Sequence, residues 1–347
     1  MLDQNILVNR PVLPTDASDQ YSADWQSVLA DAVRDQDELR RLAGIAVGAN
    51  GQSAPANPFG TLVPRTFLAR VRPGDPHDPL LLQVMPQPAE NLDCEGFSVD
   101  PLCESAAVTP CLLQKYKGRS LILTTAACGV HCRYCFRRHY PRHDVGGNRP
   151  IVERLMAAIG YIEHESSIHE VILSGGDPLT IEDESLEQLI HRLADIEHLR
   201  RLRLHSRMPI VIPQRVTDGL LELLKKTRLT ASMVVQSNHP SELNTEVEVA
   251  LALLIDAGVP LLCQSVLLAG VNDNIEVLAG LYERLIDCRV TPYYLHQLDR
   301  VTGAAHFEVP QQRGLKLIQK LRELLPGYAV PRYVREVPGA AHKKVLG

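Results

Sequence analysis

The chain has 347 residues, enough for two domains of about 150 residues or for one large α/β unit with an extension. Hydrophobic residues make up 45% of it and charged residues 22%, which excludes a disordered or collagen-like chain. The net charge of −5, with no run of five like charges, argues against non-specific nucleic-acid binding. No apolar stretch approaches the roughly 20 residues of a membrane span, and MLDQNILVNRP at the start lacks the features of a secretory signal, so we expect a soluble, cytoplasmic protein.

Helical patterns occupy the first third of the chain. One covers residues 24–42, and loops rich in Gly and Pro follow at residues 48–58 and 73–79. We therefore predict a helical N-terminal extension over residues 1–115 rather than a sheet domain.

Short β-rich runs alternate with amphipathic segments of helix length from residue 119 onward. The predicted strands cover residues 120–124, 170–174, 201–205, 231–235, 261–266 and 292–296. The predicted helices cover residues 151–163, 183–195, 215–226, 242–257, 275–287 and 311–325. This alternation favours parallel strands joined by right-handed crossovers, and six repeats are two short of a closed eightfold barrel. We predict an α/β fold with an open, partial (β/α)6 barrel over residues 116–328, whose chemistry lies at the carboxyl ends of the strands.

Three cysteines follow the first predicted strand in a C-x3-C-x2-C arrangement, namely Cys128, Cys132 and Cys135. Eight cysteines in the chain are too few for a disulfide scaffold, so a tight group of them indicates metal binding or catalysis. Three thiolates on one loop can hold three irons of a [4Fe–4S] cluster and leave the fourth iron open to a small molecule. The alternative is a structural zinc site, which would need a further ligand such as His131 or His139.

This loop resembles the signature of the radical S-adenosylmethionine (SAM) enzymes. The resemblance implies that the amino and carboxylate groups of SAM chelate the open iron. It also implies that reduction cleaves SAM to methionine and a 5′-deoxyadenosyl radical, within a barrel like the one predicted after Cys135. The non-enzymatic alternative is a binding module stabilised by zinc.

A pair of glycines ends the second predicted strand, in the sequence SGGDP. Glycines at a strand end let a ligand approach the backbone closely, and a carboxylate after them can accept from an ammonium group. The stretch resembles the glycine-rich motif that holds the amino group of SAM, which implies this role for Gly175, Gly176 and Asp177. At the end of the third strand, Ser206 and Arg207 could meet SAM or a phosphate, and we assign Ser206 to SAM. A polar strand end that faces solvent is the alternative.

Longer segments extend the resemblance to the lysine 2,3-aminomutase family over roughly residues 60–347. They are SGGDPL, HSRMPIVIPQR, SNHPSEL, CQSVLLAGVND, PYYLHQLD and GAAHF. In that family a lysine after a Pro-Gly turn forms an internal aldimine with pyridoxal 5′-phosphate (PLP), and the turn at residues 337–339 gives this role to Lys343. Lys344 is the competing candidate. The chemistry suits this residue type, because a partly desolvated lysine amine can be neutral and condense with an aldehyde. The resemblance therefore implies that residues 329–347 form a short C-terminal PLP-binding segment.

Substrate-binding residues are also implied by this resemblance. Arg137 would pair with the substrate carboxylate through its planar guanidinium, while Asp299 and Glu336 would bind the side-chain ammonium of L-lysine. Glu336 stands where the family usually has Asp, which keeps the charge and adds one methylene. Either carboxylate could instead neutralise a nearby arginine, such as Arg300 or Arg335.

The implied reaction is the conversion of (S)-α-lysine to (R)-β-lysine, with the [4Fe–4S] cluster, SAM and PLP carrying the difficult chemistry. Within the family, the sequence most resembles the bacterial branch that makes (R)-β-lysine for the modification of translation elongation factor P. The implied partners are L-lysine, an electron donor such as flavodoxin or ferredoxin, and elongation factor P with its lysyl-transferring enzyme. A homo-oligomer is compatible with this assignment. The alternative enzyme is a 2,3-aminomutase of another amino acid such as glutamate, although Asp299 and Glu336 would repel an acidic side chain.

Overall fold

One nine-stranded sheet organises the computed structural model, which describes residues 24–45, 59–105, 107–140 and 149–347. The strands lie in chain order and are β1 (Leu112–Tyr116), β2 (Arg119–Thr125), β3 (Glu170–Gly175), β4 (Arg201–Ser206), β5 (Thr230–Gln236), β6 (Leu261–Leu267), β7 (Thr291–Gln297), β8 (Arg332–Arg335) and β9 (Lys344–Val345). Strands β2 to β8 are parallel, while β1 and β9 pair antiparallel at the two edges. The predicted partial barrel is confirmed, and each of the six predicted strands agrees with the structure to within one residue at either end.

Helices connect the parallel strands and cover the outer face of the sheet. Before the sheet lie α1 (Trp25–Ala30), α2 (Gln36–Leu42), α3 (Arg65–Leu68) and α4 (Pro79–Leu82). The crossovers contain α5 (Ile151–Arg154), α6 (Met156–His164), α7 (Asp183–Ala194), α8 (Met208–Val211), α9 (Asp218–Lys226), α10 (Thr245–Asp256), α11 (Ile275–Asp287) and α12 (Gln311–Leu324). Short 3-10 helices lie at Pro88–Asn91, Pro178–Thr180, Pro213–Arg215, Pro240–Glu242, Ala305–Phe307 and Gly327–Ala329. No helix in these described segments is long and apolar enough to cross a membrane.

Local sequence explains where the crossover helices begin and which way the strands face. The side chains of Asn244 and Asn274 accept from the backbone N–H groups three residues on, which fixes the starts of α10 and α11. Burial alternates along β6, because Cys263 and Ser265 face the helices whereas Gln264 faces the interior of the barrel. The core therefore lies between the sheet and its helices, and the barrel interior remains available for a site.

The N-terminal part of the chain is attached directly to the cysteine loop. The backbone N–H of His131 donates to Leu62 (2.9 Å) and that of Arg133 donates to Gln83 (2.8 Å). Helices are present there as predicted, but β1 was not predicted and lies across the expected boundary at residue 115. The predicted loop at residues 48–58 falls outside the described residues.

The edges of the sheet meet through side chains. Within the described segments, β1 pairs only with β2 and β9 only with β8. The Tyr116 hydroxyl at the end of β1 donates to Glu336, just after β8, and Lys115 lies 4.0 Å from the same carboxylate. The barrel is therefore open in its backbone and bridged by polar side chains.

Two helical glycines provide a matched test of this packing. A methyl group at Gly314 in α12 would overlap the buried Tyr333 ring of β8, whereas one at Gly280 in α11 would meet nothing within 4 Å. We expect Gly314→Ala to lower the free energy of unfolding by about 1–3 kcal/mol through overpacking. We expect Gly280→Ala to raise it by about 0.5–1 kcal/mol, because Gly is the poorer helix former. Urea denaturation measures both, and an equal effect of the two substitutions would contradict the described packing of α12 on β8.

Candidate active site

A cavity of about 500 Å³ opens at the carboxyl ends of the strands. Ten of the eleven residues assigned from the sequence line it: Cys128, Cys132, Cys135, Arg137, Gly175, Gly176, Asp177, Asp299, Glu336 and Lys343. Ser206 is buried and does not appear in the cavity wall. The fold therefore brings together residues that are up to 215 positions apart, from Cys128 to Lys343.

The cysteine loop follows β2 and presents its thiols to this cavity. The Cys132 Sγ accepts from the Arg207 guanidinium at 2.8 Å, and burial raises the pKa of the Cys135 thiol to about 11. In the described residues, no three His, Cys, Asp or Glu side chains are grouped to hold a metal ion. The thiolates that bind a cubane attach to separate irons and stand farther apart than ligands of one ion. The three thiols on one wall, with a buried cation beside them, fit an iron–sulfur cluster.

A buried carboxylate anchors this loop to the N-terminal part of the chain. Glu90 accepts from Arg133 (Nε to Oε1, 2.9 Å) and from Arg138 (2.5 Å), and all three side chains are almost completely buried. Both guanidinium groups lie 4.9 Å from the centroid of the Phe59 ring. Although burial opposes it, the two arginines hold the pKa of the Glu90 carboxyl below its usual range. The ion pairs thus fix residues on either side of Cys135.

The two glycines at the end of β3 are required by the close approach of the chain ahead of Cys128. Gly175 has φ +125°, and a side chain there would meet the Thr125 carbonyl. A methyl group on Gly176 would overlap the Ala127 carbonyl, while the Gly176 N–H donates to Thr125 at 2.7 Å. Ligand approach was the expected reason for these glycines. The structure adds a second reason, which is contact between β3 and the cysteine loop.

Asp177 and Ser206 bind each other at the ends of β3 and β4. The Asp177 carboxylate accepts from the Ser206 hydroxyl (2.8 Å) and from the backbone N–H groups of Leu179, Arg207 and Met208. Burial nevertheless raises the pKa of this carboxyl. With both oxygens in use, Asp177 links β3 to β4 rather than presenting a free acceptor to an ammonium group. Ser206 supports Asp177 and lies behind the cavity wall, so its assignment to SAM stays a prediction.

Arg137 is held by a carboxylate that was not identified from the sequence. Its Nε and Nη2 donate to Glu104 at 2.6 and 3.0 Å, and its Nη1 lies 3.2 Å from the Ser174 hydroxyl. Glu104 also accepts from Lys115 at 2.9 Å. Because of these two cations, the pKa of the buried Glu104 carboxyl is lowered despite its burial. One edge of the Arg137 guanidinium is therefore occupied, and Nη1 faces the strand that carries the glycines.

Lys343 and Glu336 form an ion pair at the other side of the cavity. The Lys343 ammonium donates to Glu336, which also accepts from Tyr116. Although burial acts in the opposite direction, Lys343 and Tyr116 lower the pKa of the Glu336 carboxyl. Lys344 is exposed, lies in β9 and does not line the cavity, so the geometry favours Lys343 of the two candidates.

Burial changes the ionisation of three more side chains in the cavity wall. It raises the pKa of the Asp299 carboxyl to about 7, with a smaller opposing contribution from Lys343. It lowers the pKa of His296 to about 3 and that of His205 well below its usual range. Each imidazole also has a buried Nε2 with no hydrogen-bond partner among the described residues. The wall therefore offers two neutral imidazoles with unused polar atoms.

Sequence reasoning missed the residues that hold the site in place. These are Gln83, Glu90, Glu104, Tyr116, Asn238 and Glu242, which are buried or half-buried. Glu104 and Tyr116 bind the assigned residues Arg137 and Glu336. The other four bind the neighbouring side chains of Arg133, Arg138, Tyr134 or Arg207. Polar residue types inside otherwise apolar stretches are a weak signal, and the distant partner of each is not visible in the local sequence.

Comparison with known proteins identifies similar sequences along most of the chain. A sequence profile of the Radical SAM superfamily matches residues 122–281. The L-lysine 2,3-aminomutase of Escherichia coli (strain K12) is 44% identical over 326 residues, covering 93% of this chain and 94% of that protein. The enzyme of the same name from Haemophilus influenzae is 41% identical, covering 96% and 98%. That of Clostridium subterminale is 36% identical, covering 94% of this chain and 79% of that protein.

The Glu90 anchor is testable without any cofactor. We expect Glu90→Gln to lower the free energy of unfolding by about 3–5 kcal/mol, because two buried guanidinium groups lose their counter-charge. Alkylation of Cys132 and Cys135, followed by mass spectrometry, should become faster in the metal-free protein. Glu95→Gln, an exposed position on the same segment, is the control and should change neither quantity. Unchanged alkylation rates in Glu90→Gln would show that the anchor does not fix the loop.

Proposed function

Because the chain belongs to the family of L-lysine 2,3-aminomutases within the radical SAM superfamily, we propose that it converts (S)-α-lysine to (R)-β-lysine. Such an enzyme is an isomerase that moves an amino group within one molecule. The observation that carries the proposal is a single cavity that contains the cysteine loop, the glycines at the end of β3, Lys343 and two carboxylates. A zinc-stabilised binding module would not require the last three features.

The proposal assigns the cofactors to separate walls of the cavity. Cys128, Cys132 and Cys135 would hold the [4Fe–4S] cluster, the backbone around Gly175 and Gly176 would bind SAM, and Lys343 would bind PLP. When bound, the cluster and SAM supply a radical that removes a hydrogen atom, and PLP carries the migrating nitrogen. Binding of an anionic heteroaromatic cofactor is supported by the guanidinium groups of Arg119, Arg203 and Arg332 in the same wall. It is also supported by the Nε2 atoms of the neutral His205 and His296, which have no hydrogen-bond partner in the described part of the chain.

The charges of the cavity suit a substrate with one carboxylate and a distant ammonium group. The remaining edge of the Arg137 guanidinium would bind the carboxylate, while Glu104 fixes its orientation. Asp299 and Glu336 would bind the ammonium group of the substrate. When the substrate enters, Glu336 would release Lys343 and bind this ammonium group instead. These two carboxylates would repel the side chain of glutamate, so we favour lysine over an acidic amino acid.

We further propose that the product serves the modification of translation elongation factor P, with transfer by the lysyl-transferring enzyme of that pathway. Support comes from the resemblance of the chain to this branch and from its alignment with 94% and 98% of the relatives from E. coli and H. influenzae. Longer relatives are aligned over 79% (C. subterminale) and 70% (Bacillus subtilis) of their lengths. Flavodoxin or ferredoxin would supply the electron.

The proposal is tested by anaerobic incubation of the reconstituted protein with L-lysine, SAM, PLP and dithionite. We expect β-lysine of the (R) configuration, and no β-glutamate when glutamate replaces lysine. Absence of β-lysine from protein with verified iron, sulfide and PLP would refute the assignment. Mass spectrometry of elongation factor P from a strain that lacks the gene tests the pathway separately.

The two terminal lysines make a matched pair of variants. We expect Lys343→Ala to lose the absorbance of the bound pyridoxal group and at least about 1000-fold in activity while retaining its iron, because the attachment point for PLP is gone. Lys344→Ala should change both less than about twofold, since this side chain is exposed in β9. The reverse pattern would transfer the role to Lys344.

The Asp299 carboxyl predicts a dependence of substrate binding on pH. With a pKa near 7 in the free protein, this group is ionised above that pH and protonated below it. An ammonium ion prefers the ionised form, so the KM for L-lysine should rise as the pH falls below about 7, by up to about tenfold per pH unit. Asp299→Asn should have a high KM that is nearly independent of pH between about 6 and 8. The same pH dependence in both proteins would exclude Asp299 as the titrating group.

A further inference from the structure

Arg207 is a fully buried cation in direct contact with the cysteine loop. It follows β4, and only 4% of its surface is exposed. Its Nη1 donates to the Cys132 Sγ and to the Tyr134 hydroxyl, both at 2.8 Å. Its backbone N–H donates to Asp177 at 2.7 Å. The guanidinium is thus fixed against one of the three thiols assigned to the cluster.

A second set of contacts prevents the guanidinium from turning away. Nη2 donates to Gln83 (2.8 Å) and to the Glu242 carboxylate (3.0 Å). Glu242 is itself held by the backbone N–H groups of Asn238 and His239, at 2.9 and 3.1 Å. Since every group is buried, the geometry of the Arg207 contact with Cys132 is set before any cofactor binds.

We propose that Arg207 is a positioning residue that raises the reduction potential of the cluster through its hydrogen bond to Cys132, and that Glu242 limits this effect. The inference rests on the proposed function, because it requires the cluster. In the reduction step, the cluster accepts one electron from a low-potential donor such as dithionite, and no bond is broken. The reduced cluster carries one more negative charge. A cationic donor at a ligand sulfur stabilises that charge, and hydrogen bonds to the sulfurs are known to set such potentials.

The two substitutions Arg207→Gln and Glu242→Gln are predicted to act in opposite directions. Removing the cation should lower the ratio of reduced to oxidised cluster about tenfold at a fixed potential, which corresponds to about 59 mV for a one-electron couple. Removing the counter-charge leaves Arg207 uncompensated, so Glu242→Gln should raise the ratio. In Glu242→Gln, the Oε1 can still accept from the backbone N–H groups of Asn238 and His239, so the substitution removes the charge and keeps these two hydrogen bonds.

The measurement is a redox titration of the reconstituted protein, followed by electron paramagnetic resonance without lysine or SAM. Arg215→Gln is the matched control, because Arg215 is also fully buried but contacts Asp183 and the Trp25 ring instead of the cysteine loop. It should leave the potential unchanged. Iron content and circular dichroism identify variants that do not fold or do not bind iron.

The outcomes separate this inference from the proposed function. A wild-type protein that binds no iron–sulfur cluster would refute the proposed function and the inference with it. A normal cluster whose potential is the same in wild type, Arg207→Gln and Glu242→Gln would overturn the inference alone. If Arg207→Gln cannot hold iron, Glu242→Gln decides: a raised potential supports the role of Arg207, and an unchanged or lowered one refutes it.

Discussion

A continuous series of buried hydrogen bonds connects the carboxyl ends of β3, β4, β5 and β6. Asp177 after β3 binds the start of the segment after β4, and Arg207 in that segment binds Glu242 beyond β5. Asn238, which follows β5, accepts from the backbone N–H of Val266 in β6. Burying any of these polar groups without its partner would cost free energy. The series therefore has one arrangement, in which every group makes its hydrogen bonds. The cavity wall depends on this arrangement, because the strand ends form most of it.

The repeating part of the fold could be predicted from the sequence because its signal is local. Residues Glu170–Gly175 form a short and mostly buried run, which is typical of a parallel strand. The amphipathic pattern of Ile275–Asp287 indicates a helix without reference to the rest of the chain. The edge strands had no such signal. Strand β9 has two residues and β8 has four, and their pairing depends on the barrel to which they attach. Strand β1 lies at the end of a segment whose other elements are helical.

The residue types of the site followed from short motifs, but their contacts did not. The cysteine spacing lies within eight residues, whereas Glu90 is 48 residues from Arg138 and Glu104 is 33 residues from Arg137. No local pattern encodes such partners. In the same way, the motif around Asp177 predicts a group that faces a ligand but does not reveal that its oxygens accept from Ser206 and from the chain that follows β4. Local sequence identifies the chemistry, and tertiary contacts decide which atoms remain free for it.

The gap between the two outer strands is bridged by side chains. Along this gap, the described part of the chain has side chains of Tyr116, Lys115 and Glu336 instead of a backbone ladder. Breaking these side-chain contacts disrupts few hydrogen bonds, while separating two paired strands requires several backbone hydrogen bonds to break together. This edge of the barrel can therefore rearrange without any unfolding of the sheet, and Glu336, which lies there, also lines the cavity.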